Sequence, residues 1–161
     1  MMEFFKSIIN TRPKEPISAD IRDVITRKKL QYCRFADTNQ WQNMTKVALP
    51  EATFKFYNED GTFIGDGGLE YNFPSTAQFI KSFEGKNVQC VHLIGPGELL
   101  EQTNPDEVNV IWTVIYHAGM KEPNIQHTTG GGYYHETWRR TGKDWFIQDL
   151  RFERTYFQIV G

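Results

Sequence analysis

The stretch VNVIWTVIYHA, residues 108–118, decides the fold class of this chain. Its β-branched and aromatic side chains predict a long strand, and Thr103-Asn104-Pro105-Asp106 just before it predicts a turn. Stretches of similar composition occupy residues 88–102, 131–140 and 144–157. Four long strands in succession favour an antiparallel sheet over alternating strand–helix units.

The first half of the chain is predicted to be mainly helical. Ser18 is a typical N-cap, and the apolar positions from 21 to 36 follow a helical period. A short helix is expected over residues 41–48, and another begins at Pro74-Ser75. A short strand, residues 52–58, lies between these two helices.

Helices followed by strands predict an α+β domain with a curved sheet. Gly95-Pro96-Gly97 lies inside the predicted strand 88–102, and a proline cannot donate a hydrogen bond to a sheet, so a bulge or sharp bend is expected there. We therefore expect a mixed or antiparallel sheet that forms a cone, closed by the N-terminal helices, with a pocket inside. Residues 1–17 are expected to be a lead-in, and residues 18–161 a single domain.

Composition narrows the possible partners. The 161 residues carry a net charge of −2 with a pI near 6.1, which argues against a nucleic-acid or anionic-membrane surface. The one basic run, Arg27-Lys28-Lys29, is expected to be a solvated helix face. No apolar stretch approaches the roughly 20 residues of a membrane span. Cys33 and Cys90 are predicted to be buried free thiols, so a cytoplasmic protein is expected.

Two of the four histidines are predicted to meet across a hairpin. If the chain turns at residues 103–106, paired residue numbers sum to 209, and His92 lies opposite His117. A bulge at Pro96 would shift this register by one residue. Two imidazoles so close together repel each other when both are charged, so one would stay neutral as a base while the other donates.

Beyond these features, several short stretches match a known family in order and spacing. They are YCRFADTNQW at 32–41, FKFY at 54–57, VHLIG at 91–95, His117, ETWRR at 136–140 and Asp144-Trp145. Together they resemble scytalone dehydratase and, more broadly, the SnoaL-like cyclases and isomerases of the nuclear-transport-factor-two-like superfamily. The resemblance covers residues 18–157.

The resemblance implies acid–base catalysis without a metal or an organic cofactor. His92 would be the general base and acid, oriented by Asp37, with His117 as its neighbour and Tyr57 polarising a substrate carbonyl. The proton removed would lie α to that carbonyl, and the enolate would lead to dehydration, isomerisation or cyclisation. A homo-oligomer, dimer or trimer, is also implied.

Three further residues are expected to bind the substrate: Tyr134, Trp112 and Arg34. Tyr134 falls near the family's pocket asparagine, and Ala36 replaces a tyrosine that holds water in the family. One tyrosine fewer argues against scytalone itself as the substrate and favours a larger polyketide- or terpenoid-derived molecule of secondary metabolism.

Two other functions compete with this prediction. Two histidines and a carboxylate also describe a facial triad for non-haem iron, although no HxD or HExxH spacing supports it. The same fold also hosts non-catalytic small-molecule-binding and scaffold domains. A dinucleotide cofactor is not expected, because Gly130-Gly131-Gly132 precedes a predicted strand rather than a helix.

Overall fold

Three long strands form the middle of the sheet in a computed structural model, which describes residues 16–86, 88–100, 102, 104–121 and 126–160. They are β7 (Glu107–Met120), β8 (His127–Thr141) and β9 (Asp144–Val160). Each pairs antiparallel with the next along the chain. β8 begins upstream of Gly130, so the glycine run lies inside this strand rather than before it. Most of the predicted lead-in, residues 1–15, lies outside the described residues.

The remaining strands extend this sheet on both sides. They are β1 (Ala48–Tyr57), β2 (Gly65–Asp66), β3 (Leu69–Glu70), β4 (Asn72–Phe73), β5 (Val88–Ile94) and β6 (Glu98–Leu99). The order in the main sheet is β4-β1-β9-β8-β7-β5, with β6 also on β7, while β2 and β3 pair separately. β1 runs parallel to β9 and the other pairs are antiparallel. The predicted α+β class with a curved mixed sheet is therefore confirmed.

Two α-helices and a 3-10 helix pack against the inner face of the sheet. They are α1 (Ala19–Asp37), the 3-10 helix (Trp41–Lys46) and α2 (Thr76–Phe83). α1 begins where the sequence predicts, because the Ser18 side chain accepts a hydrogen bond from the Ile21 backbone N–H. Phe79 of α2 stacks on Phe54 of β1 with ring centroids 4.2 Å apart, which fixes this helix over the sheet.

A bend interrupts the predicted strand 88–102. Ile94 pairs with Val114 and Leu99 pairs with Val110, so the stretch around Gly95-Pro96-Gly97 contains one residue more than the β7 segment opposite it. This extra residue changes the register of β5 against β7. No helix in the described part of the chain is long and apolar enough to cross a membrane.

Candidate active site

A cavity of about 340 Å³ lies between the helices and the inner face of the sheet. Its walls are largely aromatic, including Tyr32, Phe56, Phe79, Tyr116, Tyr134 and Phe152. A volume of this size and an apolar lining with few polar groups are typical of a small-molecule site. A larger surface hollow of about 560 Å³, lined by residues 39–43 and 84–86, contains neither of the predicted catalytic residues His92 and Asp37.

His92 lines this cavity, and Asp37 is in direct contact with its ring. Asp37 ends α1, and its Oδ1 lies 2.5 Å from Nδ1 of His92 on β5. The Asp37 Oδ2 accepts a second hydrogen bond, 3.0 Å long, from the His92 backbone N–H. With Nδ1 engaged by the carboxylate, the other ring nitrogen, Nε2, is the one left to act on a ligand.

The electrostatics of Asp37 favour the ionised carboxylate. Burial on its own raises the pKa of Asp37, but the hydrogen bonds and the attraction from His92 outweigh it and lower the pKa below its ordinary value. An ionised Asp37 holds the His92 proton on Nδ1 and stabilises the imidazolium that forms when Nε2 accepts a proton.

The predicted pairing of His92 with His117 is wrong. The bend at residues 95–97 shifts the register, so His92 pairs with Tyr116, and His117 pairs with Val91. Directly paired residues share one face of a sheet, and adjacent residues point to opposite faces. His117 is therefore exposed on the outer face, while the Tyr116 ring lies 6.0 Å from the His92 ring at the cavity.

Tyr57 also lies outside the cavity, as a correction to its predicted role. Phe54 and Phe56 of β1 point inward, so the alternation of the strand directs Tyr57 outward. There the Tyr57 ring stacks on Phe63 at 4.8 Å and lies under the Arg151 guanidinium at 4.9 Å. Tyr57 is therefore not placed to contact a ligand in the cavity.

The structure places the three predicted substrate-binding residues in three different environments. Tyr134 lines the cavity. Trp112 does not, because it is fully buried in the core with its indole N–H donating to Glu136 Oε2 at 2.8 Å. Arg34 is exposed on α1 and lies away from the cavity wall. Only the first of the three is placed to touch a ligand.

A buried ion pair lies beneath Tyr134, and the sequence analysis missed it. Lys29 was predicted to lie on a solvated helix face, and this prediction is wrong. Its side chain is fully buried and bonds to Glu136 Oε1 at 2.5 Å. Its ammonium lies 3.4 Å from the Tyr134 ring centroid and 4.3 Å from that of Tyr32. The helical period could have predicted this burial. Lys29 falls four residues after buried Ile25 and three before buried Tyr32, so the three side chains share one face of the helix.

Four tyrosines bring their phenols to this cavity: Tyr32, Tyr71, Tyr116 and Tyr134. Burial first, and then nearby groups that become negative, raise the pKa of Tyr32 and of Tyr134 well above the ordinary value. These two phenols therefore stay protonated and can donate hydrogen bonds. The absence of a side chain at Gly130 leaves space for the Tyr116 ring, because a Cβ at position 130 would lie 2.4 Å from the Tyr116 hydroxyl oxygen.

One group of side chains has the composition of a metal site. Ligand atoms of Asp37, Cys90 and His92 lie within 4.8 Å of one another. Burial, followed by repulsion from Asp37, raises the pKa of the Cys90 thiol to about 12, so the thiol stays protonated at neutral pH. A thiol must lose its proton to bind a metal, and the Asp37 and His92 atoms already bond to each other. The facial triad with His117 fails on geometry, because His117 is on the opposite face.

The family model of the SnoaL-like domain matches residues 18–151, and the chain belongs to this family. Among curated proteins it is 48% identical to the probable cyclase FGR4 of Gibberella zeae (strain PH-1), over 90% of this chain and 98% of the relative. These two matches support an enzyme of the isomerase or lyase type. The predicted resemblance to this family is confirmed.

Solved structures show the same fold at low sequence identity. A candidate scytalone dehydratase from Novosphingobium aromaticivorans superposes with a TM-score of 0.69 at 13% identity, covering 86% of this chain and 87% of that one. A hexachlorocyclohexane dehydrochlorinase, LinA type 2, gives a TM-score of 0.68 at 18% identity, covering 87% and 88%. At these identities the likeness establishes the cone-shaped fold.

Proposed function

We propose that the chain catalyses a proton-transfer reaction on a polyketide- or terpenoid-derived small molecule, without a metal or an organic cofactor. The observation that carries this proposal is the His92–Asp37 pair, joined at 2.5 Å, at the wall of an aromatic cavity. A base that is oriented by a carboxylate in a mostly apolar site is suited to removing a proton α to a carbonyl.

In the proposed mechanism, the His92 Nε2 removes this α-proton and leaves the electron pair on the substrate as an enolate. Asp37 stabilises the resulting imidazolium, as carboxylates do for catalytic histidines. Tyr116 is the nearest phenol by ring contact with His92, and we assign it to hydrogen-bond the enolate oxygen. Tyr32 and Tyr134 are further neutral donors at the same cavity.

The proton on His92 then has three possible destinations. Delivered to a different carbon, it completes a double-bond isomerisation. Delivered to a β-hydroxyl group, it releases water. If the enolate carbon instead attacks a carbonyl carbon of the same molecule, a C–C bond closes a ring, the C=O π electrons move to oxygen, and His92 delivers its proton to the resulting alkoxide. The cyclase name of the Gibberella zeae relative favours the third outcome for this chain.

The test is proton exchange in D2O with bicyclic ketones and 1,3-diketones of polyketide type, followed by mass spectrometry. We expect His92→Ala to lose roughly 10²–10⁴-fold in the rate of deuterium uptake, the usual contribution of a general base. His117→Ala is the matched control, because this histidine lies on the same strand pair but on the outer face, and it should keep the wild-type rate. A product lighter by one water would identify a dehydratase.

Unchanged deuterium exchange in the His92→Ala variant would contradict this proposal. If His92→Ala exchanges deuterium as fast as the wild type, the acid–base mechanism is wrong. The non-catalytic binding domain of the same fold would then be the better account of the cavity.

We also propose that the protein assembles as a homo-oligomer, a dimer or trimer, in the cytoplasm. Its outer sheet face carries the exposed apolar side chains Val91, Leu93, Ile115 and Tyr133, of which Leu93 is 71% exposed. Contiguous exposed apolar patches are typical of interaction surfaces. The two cysteines are free thiols, as expected in a reducing compartment. Light scattering of the wild type and of Leu93→Glu tests the assembly; a wild-type monomer contradicts it.

A further inference from the structure

Arg154 brings a positive charge to a cavity whose walls are otherwise largely apolar. It lies on β9 at a bulge, since Gly132 pairs with Arg154 while Gly131 pairs with Tyr156. The extra residue, Thr155, changes the alternation of the strand. As a result both Arg154 and Phe157 line the cavity.

The guanidinium is held in place on one side. Its Nη1 donates to Asn58 Oδ1 at 3.0 Å, and its Cζ lies 3.9 Å from the centroid of the Phe157 ring. The Asn58 amide nitrogen donates in turn to Thr62 Oγ1 and to the Phe63 carbonyl oxygen. These two bonds fix the orientation of the Asn58 amide and so direct its oxygen at Arg154.

Among the residues that the structure describes, the Nε of this guanidinium has no hydrogen-bond partner. The Arg154 Nε is buried without a hydrogen bond, and the described carboxylates form no ion pair with this residue. The nearby phenol of Tyr71, which also lines the cavity, is neutral, because burial and Asp66 raise its pKa more than Arg154 lowers it. A guanidinium offers five donors in a planar fork, and a buried charge is costly unless it is paired.

We propose that Arg154 binds a carboxylate on the substrate, at a position in the cavity apart from the His92–Asp37 pair. The planar fork of arginine matches the geometry of a carboxylate and binds it through two parallel hydrogen bonds. This inference rests on the proposed function only in taking the cavity as the substrate site. It narrows the substrate class to an aromatic or polycyclic acid whose reacting carbon lies at His92 while its carboxylate lies at Arg154.

Two probes of the same shape test the proposal by isothermal titration calorimetry: 2-naphthoic acid and 2-naphthamide. The wild type should bind the acid about ten- to a hundredfold more tightly than the amide, the usual effect of hydrogen bonds to a charged group. Arg154→Gln should remove this preference, and Arg154→Lys, which keeps the charge but not the fork, should retain part of it.

Arg151→Gln is the matched control. Arg151 lies three positions earlier on β9, is exposed, and pairs with Glu153 on the outer side of the sheet, so its loss should leave the preference for the acid unchanged. Circular dichroism of each variant confirms that the fold is kept. Equal affinity of the wild type for the two probes, or no binding of either, overturns the proposal, as does an undiminished preference in Arg154→Gln.

The binding experiment separates this proposal from the catalytic one. His92→Ala should keep the preference for the acid, because Arg154 and its partner Asn58 are untouched in that variant. If His92→Ala also kept full turnover, the proposed mechanism would fail while the carboxylate site would stand. If Arg154→Gln kept the preference while His92→Ala lost turnover, the reverse would hold.

Discussion

Two of the ionic pairs that residues of helix α1 make differ in their access to the cavity. Lys29 pairs with Glu136, and both side chains are 0% exposed. Asp37 pairs with His92 at the same distance, 2.5 Å, but these side chains are 18% and 16% exposed, and His92 lines the cavity. One pair is sealed inside the core and the other has a face that a ligand can reach.

The difference shows what each pair can do. Glu136 is fully committed, since its second oxygen accepts from the indole N–H groups of Trp112 and Trp138, both at 2.8 Å. This buried network lies under Tyr134, and both oxygens of Glu136 are occupied within it. The His92 ring engages Asp37 through Nδ1 and makes no hydrogen bond through Nε2 to the residues that the structure describes. We therefore expect the first pair to govern stability and the second to govern turnover.

Lys29→Met should give the largest effect, and on stability. Removing one member of a buried ion pair leaves Glu136 charged and without its cation, at a cost of about 3–5 kcal/mol in the free energy of unfolding. Urea denaturation followed by tryptophan fluorescence measures this loss. In the double variant Lys29→Met/Glu136→Gln the uncompensated charge is gone, so much of the stability should return. If Lys29→Met were as stable as the wild type, the Lys29–Glu136 pair would not be needed for the stability of the core.

Asp37→Asn should mainly lower turnover and should change the free energy of unfolding little. An amide cannot stabilise the His92 imidazolium or hold the same ring tautomer, so the rate of proton exchange should fall by about 10²–10³-fold, or about 3–4 kcal/mol. The double variant with His92→Ala should be scarcely slower than His92→Ala alone, because the two residues act as one unit. Independent, additive losses would contradict a working pair.

The sequence predicted the helices, the long strands and the break at Gly95-Pro96-Gly97, because each depends on local patterns such as the Ser18 cap. It also placed His92 and Asp37 in one site, through the resemblance to the family. The register of β5 on β7 was not predictable in the same way. It depends on one extra residue at the bend, and a slip of one residue moves every side chain to the other face.

Lys29 and Arg154 were missed for another reason. A charged residue is usually solvated, and only tertiary contacts show that Lys29 has a buried partner in Glu136 more than a hundred residues later in the chain. The position of Arg154 depends on the bulge in β9, which the sequence of that strand does not mark. Local pattern therefore predicts elements well, and predicts the cavity lining only where no bulge intervenes.

Tyr116→Phe tests whether a phenol beside the His92–Asp37 pair contributes to turnover. Losing one hydrogen-bond donor to the enolate should slow proton exchange by about tenfold, less than in sites with a single donor, because Tyr32 and Tyr134 face the same cavity. Tyr57→Phe is the matched control, since that hydroxyl lies on the outer side of β1 with Phe63 and Arg151. A larger loss in Tyr57→Phe than in Tyr116→Phe would mean that the assignment of faces is reversed.

Cys90→Ala should give the smallest effect, and it tests whether the Asp37–His92 pair works without a third member. The Cys90 Sγ lies 3.4 Å from Asp37 Oδ1, so the thiol is a weak donor to the same carboxylate oxygen that contacts His92. Because burial and Asp37 raise its pKa to about 12 from the ordinary 9.0, the thiolate fraction near neutral pH is lower than in the unfolded chain, which disfavours the thiol as a nucleophile. We expect Cys90→Ala to change the rate of proton exchange by no more than about threefold, the scale of one weak neutral hydrogen bond. We also expect iodoacetamide to alkylate this thiol more slowly in the folded protein than in urea.

Cys90→Ser, which restores a hydrogen-bond donor, should have a rate closer still to that of the wild type. If Cys90→Ala instead fell to the level of His92→Ala, and added zinc or iron restored activity to chelated wild-type enzyme, the three residues would form a metal site and the pair would not be an independent catalytic unit.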